Sequence, residues 1–148
     1  CLLRIDGRLI DRESTSCTGK QMRELLVHVD PWVHQCDWYI FDIKTNNFVE
    51  FFGSSGQPPQ RVSREILDSI CAQADQFLSG VFLAVPPDVA QPKLHLDTKT
   101  EDEPSSDLGD AILEIRAFDT SYFEIYTHLL ALAGRLHQLF GVEVEQSS

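Results

Sequence analysis

The sequence predicts an α+β domain, with three main helices on a mostly antiparallel sheet built from hairpins. Three observations predict it. Stretches dense in β-branched and aromatic residues come in close pairs across short polar turns, as in DWYIFDIK followed by FVEFF. Apolar residues at helical spacing separate these pairs. No run of strands strictly alternates with helices, as a parallel α/β sheet would require.

The elements follow in order. In LRIDGRLI, Asp6-Gly7 stands between apolar flanks and reads as a hairpin turn. Thr18 and Gln21 form a capping box, with Met22, Leu25, Leu26 and Val29 at helical spacing behind it. Asp30 precedes Pro31, which disfavours helix, so this helix is expected over 19–29. Residues 37–44 and 48–52 form a second hairpin across Thr45-Asn46-Asn47. Its first strand is apolar on both faces and is expected to lie centrally. GSSGQPPQ is a loop. Ser63 caps a helix whose apolar stripe runs from Ile66 to Leu78, with Gly80 as its stop. VFLAV is a buried strand ended by Pro86-Pro87, and KLHL (93–96) is a candidate short strand. Residues 97–110 hold six acids and no aromatic, and read as a mobile loop within a single domain spanning 1–148. HLLALAGRLHQLF is helical, with Thr127 as a candidate cap and Gly141 as its stop. VEVE closes the chain as a strand.

AILEIRAF and YFEIYT pair as an antiparallel hairpin, and like must face like across it. A two-residue loop would oppose Arg116 to Phe123. A three-residue loop, Asp119-Thr120-Ser121, opposes Arg116 to Glu124, Ile115 to Ile125, Ala117 to Phe123 and Phe118 to Tyr122. One face is then Leu113, Ile115, Ala117, Phe123 and Ile125, which is core. The other is Glu114, Arg116, Phe118, Tyr122, Glu124 and Tyr126. That second face has two readings. In one, a cross-strand Arg–Glu pair and its flanking tyrosines simply cover the sheet, beneath another part of the chain or in water. In the other it is a recognition face, because Tyr and Arg are enriched where proteins bind proteins.

Composition narrows the partners. The net charge is −11, from 23 acidic and 12 basic residues. Such a surface repels nucleic acid and anionic membrane, and suits a basic protein. Cys1, Cys17, Cys36 and Cys71 show no C-x-x-C spacing and read as reduced thiols. The opening CLLRIDGRLI lacks a basic segment followed by a long apolar one and does not read as a signal peptide. Both point to a cytoplasmic protein.

Motifs that carry chemistry are weak. Thr18-Gly19-Lys20 resembles the end of a phosphate-binding loop, but Ser14 and Gln21 stand where that pattern needs Gly and Ser/Thr. His28, His34, Cys36 and Cys17 lack the spacing of a zinc site, so no metal or cofactor is expected. Asp37 and Asp42 fall on opposite faces of a regular strand. Asp42 with Glu50 could meet across the second hairpin, and paired carboxylates there would raise one pKa, making this pair the best general acid/base candidate.

The sequence therefore favours a non-enzymatic, acidic protein-binding module, such as an immunity-type inhibitor of a basic toxin or an adaptor. The alternatives are an enzyme or small-ligand binder using Trp38, Asp42 and Glu50, and a subunit that self-associates as a homodimer through the HLLALAGRL helix.

Overall fold

In the computed structural model, residues 1–47, 59–89, 92–93 and 108–145 are described. Strand β1 (Leu2–Ile5) leads into a single helical turn, α1 (Arg8–Asp11), and then α2 (Gly19–Val33). Strands β2 (Asp37–Thr45) and β3 (Gln60–Val62) precede α3 (Arg64–Gln73). Strands β4 (Phe77–Val85), β5 (Leu113–Phe118) and β6 (Tyr122–Thr127) precede α4 (Leu130–Phe140). The six strands form one sheet in the order β1-β6-β5-β4-β2-β3, and every neighbouring pair is antiparallel. Among the described residues no helix is long and apolar enough to cross a membrane.

The sheet packs on both faces. On one face, Leu3, Ile5, Trp38, Ile40, Phe82, Ile115, Phe123 and Ile125 join a buried cluster with Met22, Leu25, Leu26 and Val29 of α2, Leu67 and Ile70 of α3, and Leu132 and Leu136 of α4. On the other face, Leu2, Val81, Leu83, Val85 and Tyr126 pack with Leu108, Ala111 and Val89 from the β4–β5 connection. Each fully buried Val, Leu, Ile, Phe or Met side chain among them contributes about 1.5–3 kcal/mol relative to exposure.

The Thr18–Gln21 capping box is present with both reciprocal bonds at 3.1 Å, and Ser63 Oγ accepts from Ile66 N at 3.1 Å. Gly141 ends α4 in the left-handed region, at φ 68°.

Several boundaries differ from expectation, each for a local reason. Asp6-Gly7 is not a hairpin turn. Gly7 has φ −57°, and β1 pairs with β6 instead. The Asp6 carboxylate accepts from the Arg8 backbone N–H and guanidinium, which starts a helical turn. Helix α2 continues through Pro31 to Val33, because Val33 is buried and Trp32 packs against the core, offsetting the lost N–H. Helix α3 stops at Gln73, short of Leu78 and Gly80. Asn47 Nδ2 donates to the Gln73 carbonyl, its Oδ1 accepts from Asp75 N, and Asn46 Oδ1 accepts from Gln76 N. Two side chains just past the end of β2 thus bond the last carbonyl of the helix and the two N–H groups beyond it, where the chain turns towards Phe77 and β4. Gly80 lies inside that strand.

Helix α4 begins at Leu130 behind Leu129 rather than at the Thr127 cap. The Thr127 hydroxyl nevertheless accepts from Leu129 N at 3.0 Å. In VEVE only Glu145 pairs, as an isolated bridge to Leu2. The proposed strand partner 48–52, residues 94–96 of KLHL and residues 97–107 of the acidic loop lie outside the described residues. At the end of that loop Leu108 is buried, and Asp110 Oδ2 accepts from Lys93 N at 2.5 Å.

The four cysteines are free thiols. Burial pushes the Cys17 thiol up to about 11 and the Cys71 thiol up to about 12. A raised folded-state pKa stabilises the fold below the unfolded value and is lost as the pH climbs. Denaturant titrations should therefore show stability falling from about pH 9 towards pH 12, and Cys71→Ala should flatten that fall.

Helices α2 and α3 meet at Gly19. A Cβ there would collide with the backbone carbonyls of Cys71 and Ala74, and neither can swing aside. Gly19→Ala should destabilise the protein by about 3 kcal/mol, at the upper end of overpacking costs, as read by urea unfolding.

Candidate functional site

The β5–β6 hairpin has the three-residue loop and the register that its side chains require. Ile115 opposes Ile125, Arg116 opposes Glu124, Ala117 opposes Phe123 and Phe118 opposes Tyr122. The turn closes with Ser121 N donating to the Phe118 carbonyl at 2.8 Å. Asp119 and Thr120 both occupy the left-handed region, at φ 44° and 59°. Such a turn twists with the strands, whereas a turn of ordinary hand would splay them.

The second face of this hairpin is a buried polar network. Glu114, Arg116, Glu124 and Tyr126 are each 3% exposed or less. Arg116 Nε lies 3.3 Å from Glu114 Oε2, and its guanidinium sits 5.8 Å from the centre of the Tyr126 ring. Tyr126 donates its hydroxyl to Glu124 Oε2 at 2.9 Å. Arg4, directly opposite Glu124 on β1, brings its Nε to 3.5 Å from the same oxygen and its Nη1 to 2.7 Å from Glu145. Burial raises the Tyr126 phenol well above its ordinary value, and the neighbouring Glu124 carboxylate raises it further.

The six residues thus divide. Glu114, Arg116, Glu124 and Tyr126 lie beneath the surface, while Phe118 and Tyr122 remain half-buried at the hairpin end. Those two rings stack, with centroids 5.3 Å apart and planes inclined by 16°.

The other candidate residues are dispersed. Trp38 is buried in the helix-side core. Asp42 sits in a bulge of β2, at φ 53°, with its carbonyl accepting from Ser79 Oγ at 2.7 Å. The bulge breaks strand alternation, so Ile43 joins Trp38 and Ile40 in that core, and counting faces from Asp37 to Asp42 does not hold. Glu50 lies outside the described residues. His28 packs edge-on against Phe140 at 5.5 Å, and His34 is the exposed C-cap of α2. Among the described residues no three His, Cys, Asp or Glu side chains gather as a metal ion would need.

One recess was missed by the sequence reading. At the hairpin end an open cavity of about 500 Å³ is bounded by Asp6 and Arg8, by residues 14–16, by Gln76 and by residues 120–122. Its sequence signal is the hydroxyl-rich run STSCT at 14–18, which carries no spacing rule.

No family model, curated protein or solved structure matches the chain.

Tyr126→Phe removes the donor to a buried carboxylate while preserving the ring. It should lower stability by about 1–3 kcal/mol in urea unfolding, and an unchanged midpoint would show that Glu124 does not depend on that hydroxyl.

Proposed function

We propose that the chain is a non-enzymatic protein-binding module for a basic partner, of the immunity-inhibitor or adaptor kind. It docks through the end of the β5–β6 hairpin. The observation that carries this reading is the stacked Phe118–Tyr122 pair, left half-buried on a chain of net charge −11. Aromatic rings at a strand end give contact area with little rotamer entropy to lose, and the net negative charge of the chain favours encounter with a basic partner. Glu114, Arg116, Glu124 and Tyr126 act from beneath. Their mutual contacts hold the two strands in one arrangement, so little ordering remains for the moment of binding.

The test uses the full chain and the basic polypeptide that co-purifies with it from native cells. Phe118→Ala and Tyr122→Ala should each weaken binding by about 2 kcal/mol, measured calorimetrically, while changing folding stability by about 1 kcal/mol or less. Association should slow steeply as salt is added. Unaltered affinity in both variants would overturn the reading.

A further inference from the structure

Five non-glycine residues adopt positive φ among the described residues: Arg12, Cys17, Asp42, Asp119 and Thr120. Four of the five belong to the two loops that wall the cavity at the hairpin end. Thr120, which lines it, is β-branched, and the left-handed region is unfavourable for such a residue. Strain of this kind persists where surrounding structure enforces it, and it gathers at binding sites.

The enforcing structure is visible. Ser16 Oγ accepts from Gly7 N at 2.8 Å, and Gln76 Nε2 donates to the Ser16 carbonyl at 3.0 Å. Gln21 Nε2 donates to the Thr15 carbonyl at 2.6 Å, while Cys17 Sγ contacts the Tyr122 carbonyl at 3.3 Å. Gly7 has no room for a side chain, since a Cβ would strike Gln21. Both walls are therefore fixed in place, as a preformed ligand recess is.

The lining chemistry selects the ligand. Asp6 and Arg8 neutralise each other through a two-pronged pair at 2.6–3.1 Å. A carboxylate in the lining disfavours an anion, and a guanidinium disfavours a cation. Apart from the Gln76 amide, the rest of the lining bears hydroxyl groups, that of Tyr122 among them, and includes no large aliphatic side chain. We infer that this cavity binds a neutral polyhydroxylated small molecule, a mono- or disaccharide. Its hydroxyls would exchange hydrogen bonds with Ser14, Thr15 and Ser121, and the charged pair would serve as joint donor and acceptor.

This inference stands on the cavity, not on partner docking, so its variants avoid the Phe118–Tyr122 pair. Amide spectra of the full ¹⁵N-labelled chain would be followed while maltose, lactose, a mannose disaccharide and an N-acetylglucosamine disaccharide are added at millimolar levels. At least one should give saturable shifts at residues 14–16 and 120–122. Ser14→Trp, at an exposed position, should fill the recess and abolish those shifts with the remaining spectrum intact. Thr120→Gly should raise the melting temperature by releasing the left-handed strain, yet weaken the same sugar about tenfold. No saturable shift with any of the four sugars would overturn the inference. So would shifts that persist undiminished in both variants, or inorganic phosphate perturbing these amides when the sugars do not.

Discussion

The register of the β5–β6 hairpin is the constraint on which the other strands depend. Both strands lie inside the sheet, β5 against β4 and β6 against β1. A slip of one residue between them would turn one strand over, carrying Ile115 and Ala117, or Phe123 and Ile125, out of the helix-side core and Arg116 or Glu124 into it. The turn prevents this at a local cost, since two successive left-handed residues, one of them threonine, replace the Asn-Gly that would adopt the same geometry freely. Burial of four apolar side chains outweighs that cost.

The same register creates a second demand. With β4 on one side and β1 on the other, the face holding Glu114, Arg116, Glu124 and Tyr126 has too little access to water for isolated charges. Their answer is mutual: carboxylates beside guanidinium groups, and a phenol donating to a carboxylate. Removing one member leaves another buried without its partner, which costs more than the contact itself contributes.

Much of this was legible in the sequence because it follows from short-range rules. The Thr18–Gln21 box, the Ser63 cap, the Gly141 stop and the hairpin register each depend on residues a few positions apart. What was not legible depends on partners far along the chain. Nothing near Gln73 announces that α3 ends there, because Asn46 and Asn47, just past β2, bond the groups at its end. The stripe through Phe77 and Leu78 has helical spacing, yet Phe77 is buried in a strand. Asp6-Gly7 has the composition of a hairpin turn, but Arg8 supplies the Asp6 carboxylate with a partner in a helical turn instead. The cavity at the hairpin end brings together residues from four separate segments, and no spacing rule joins them.

The two margins of the sheet differ in how they are closed to further strands. At β1, Leu2 gives and receives a backbone bond with Glu145, at 2.7 and 2.8 Å, so the outward-facing groups of Leu2 are already taken by the chain itself. At the other margin, as drawn by the described residues, β3 is three residues long, and Arg61 is tied to Asp37 across the strand pair at 3.0 Å. A short margin carrying a charged pair makes a poor template for another copy's backbone. Among the described residues, pairing with a further strand is thus discouraged at Leu2 by occupancy and at β3 by brevity and charge.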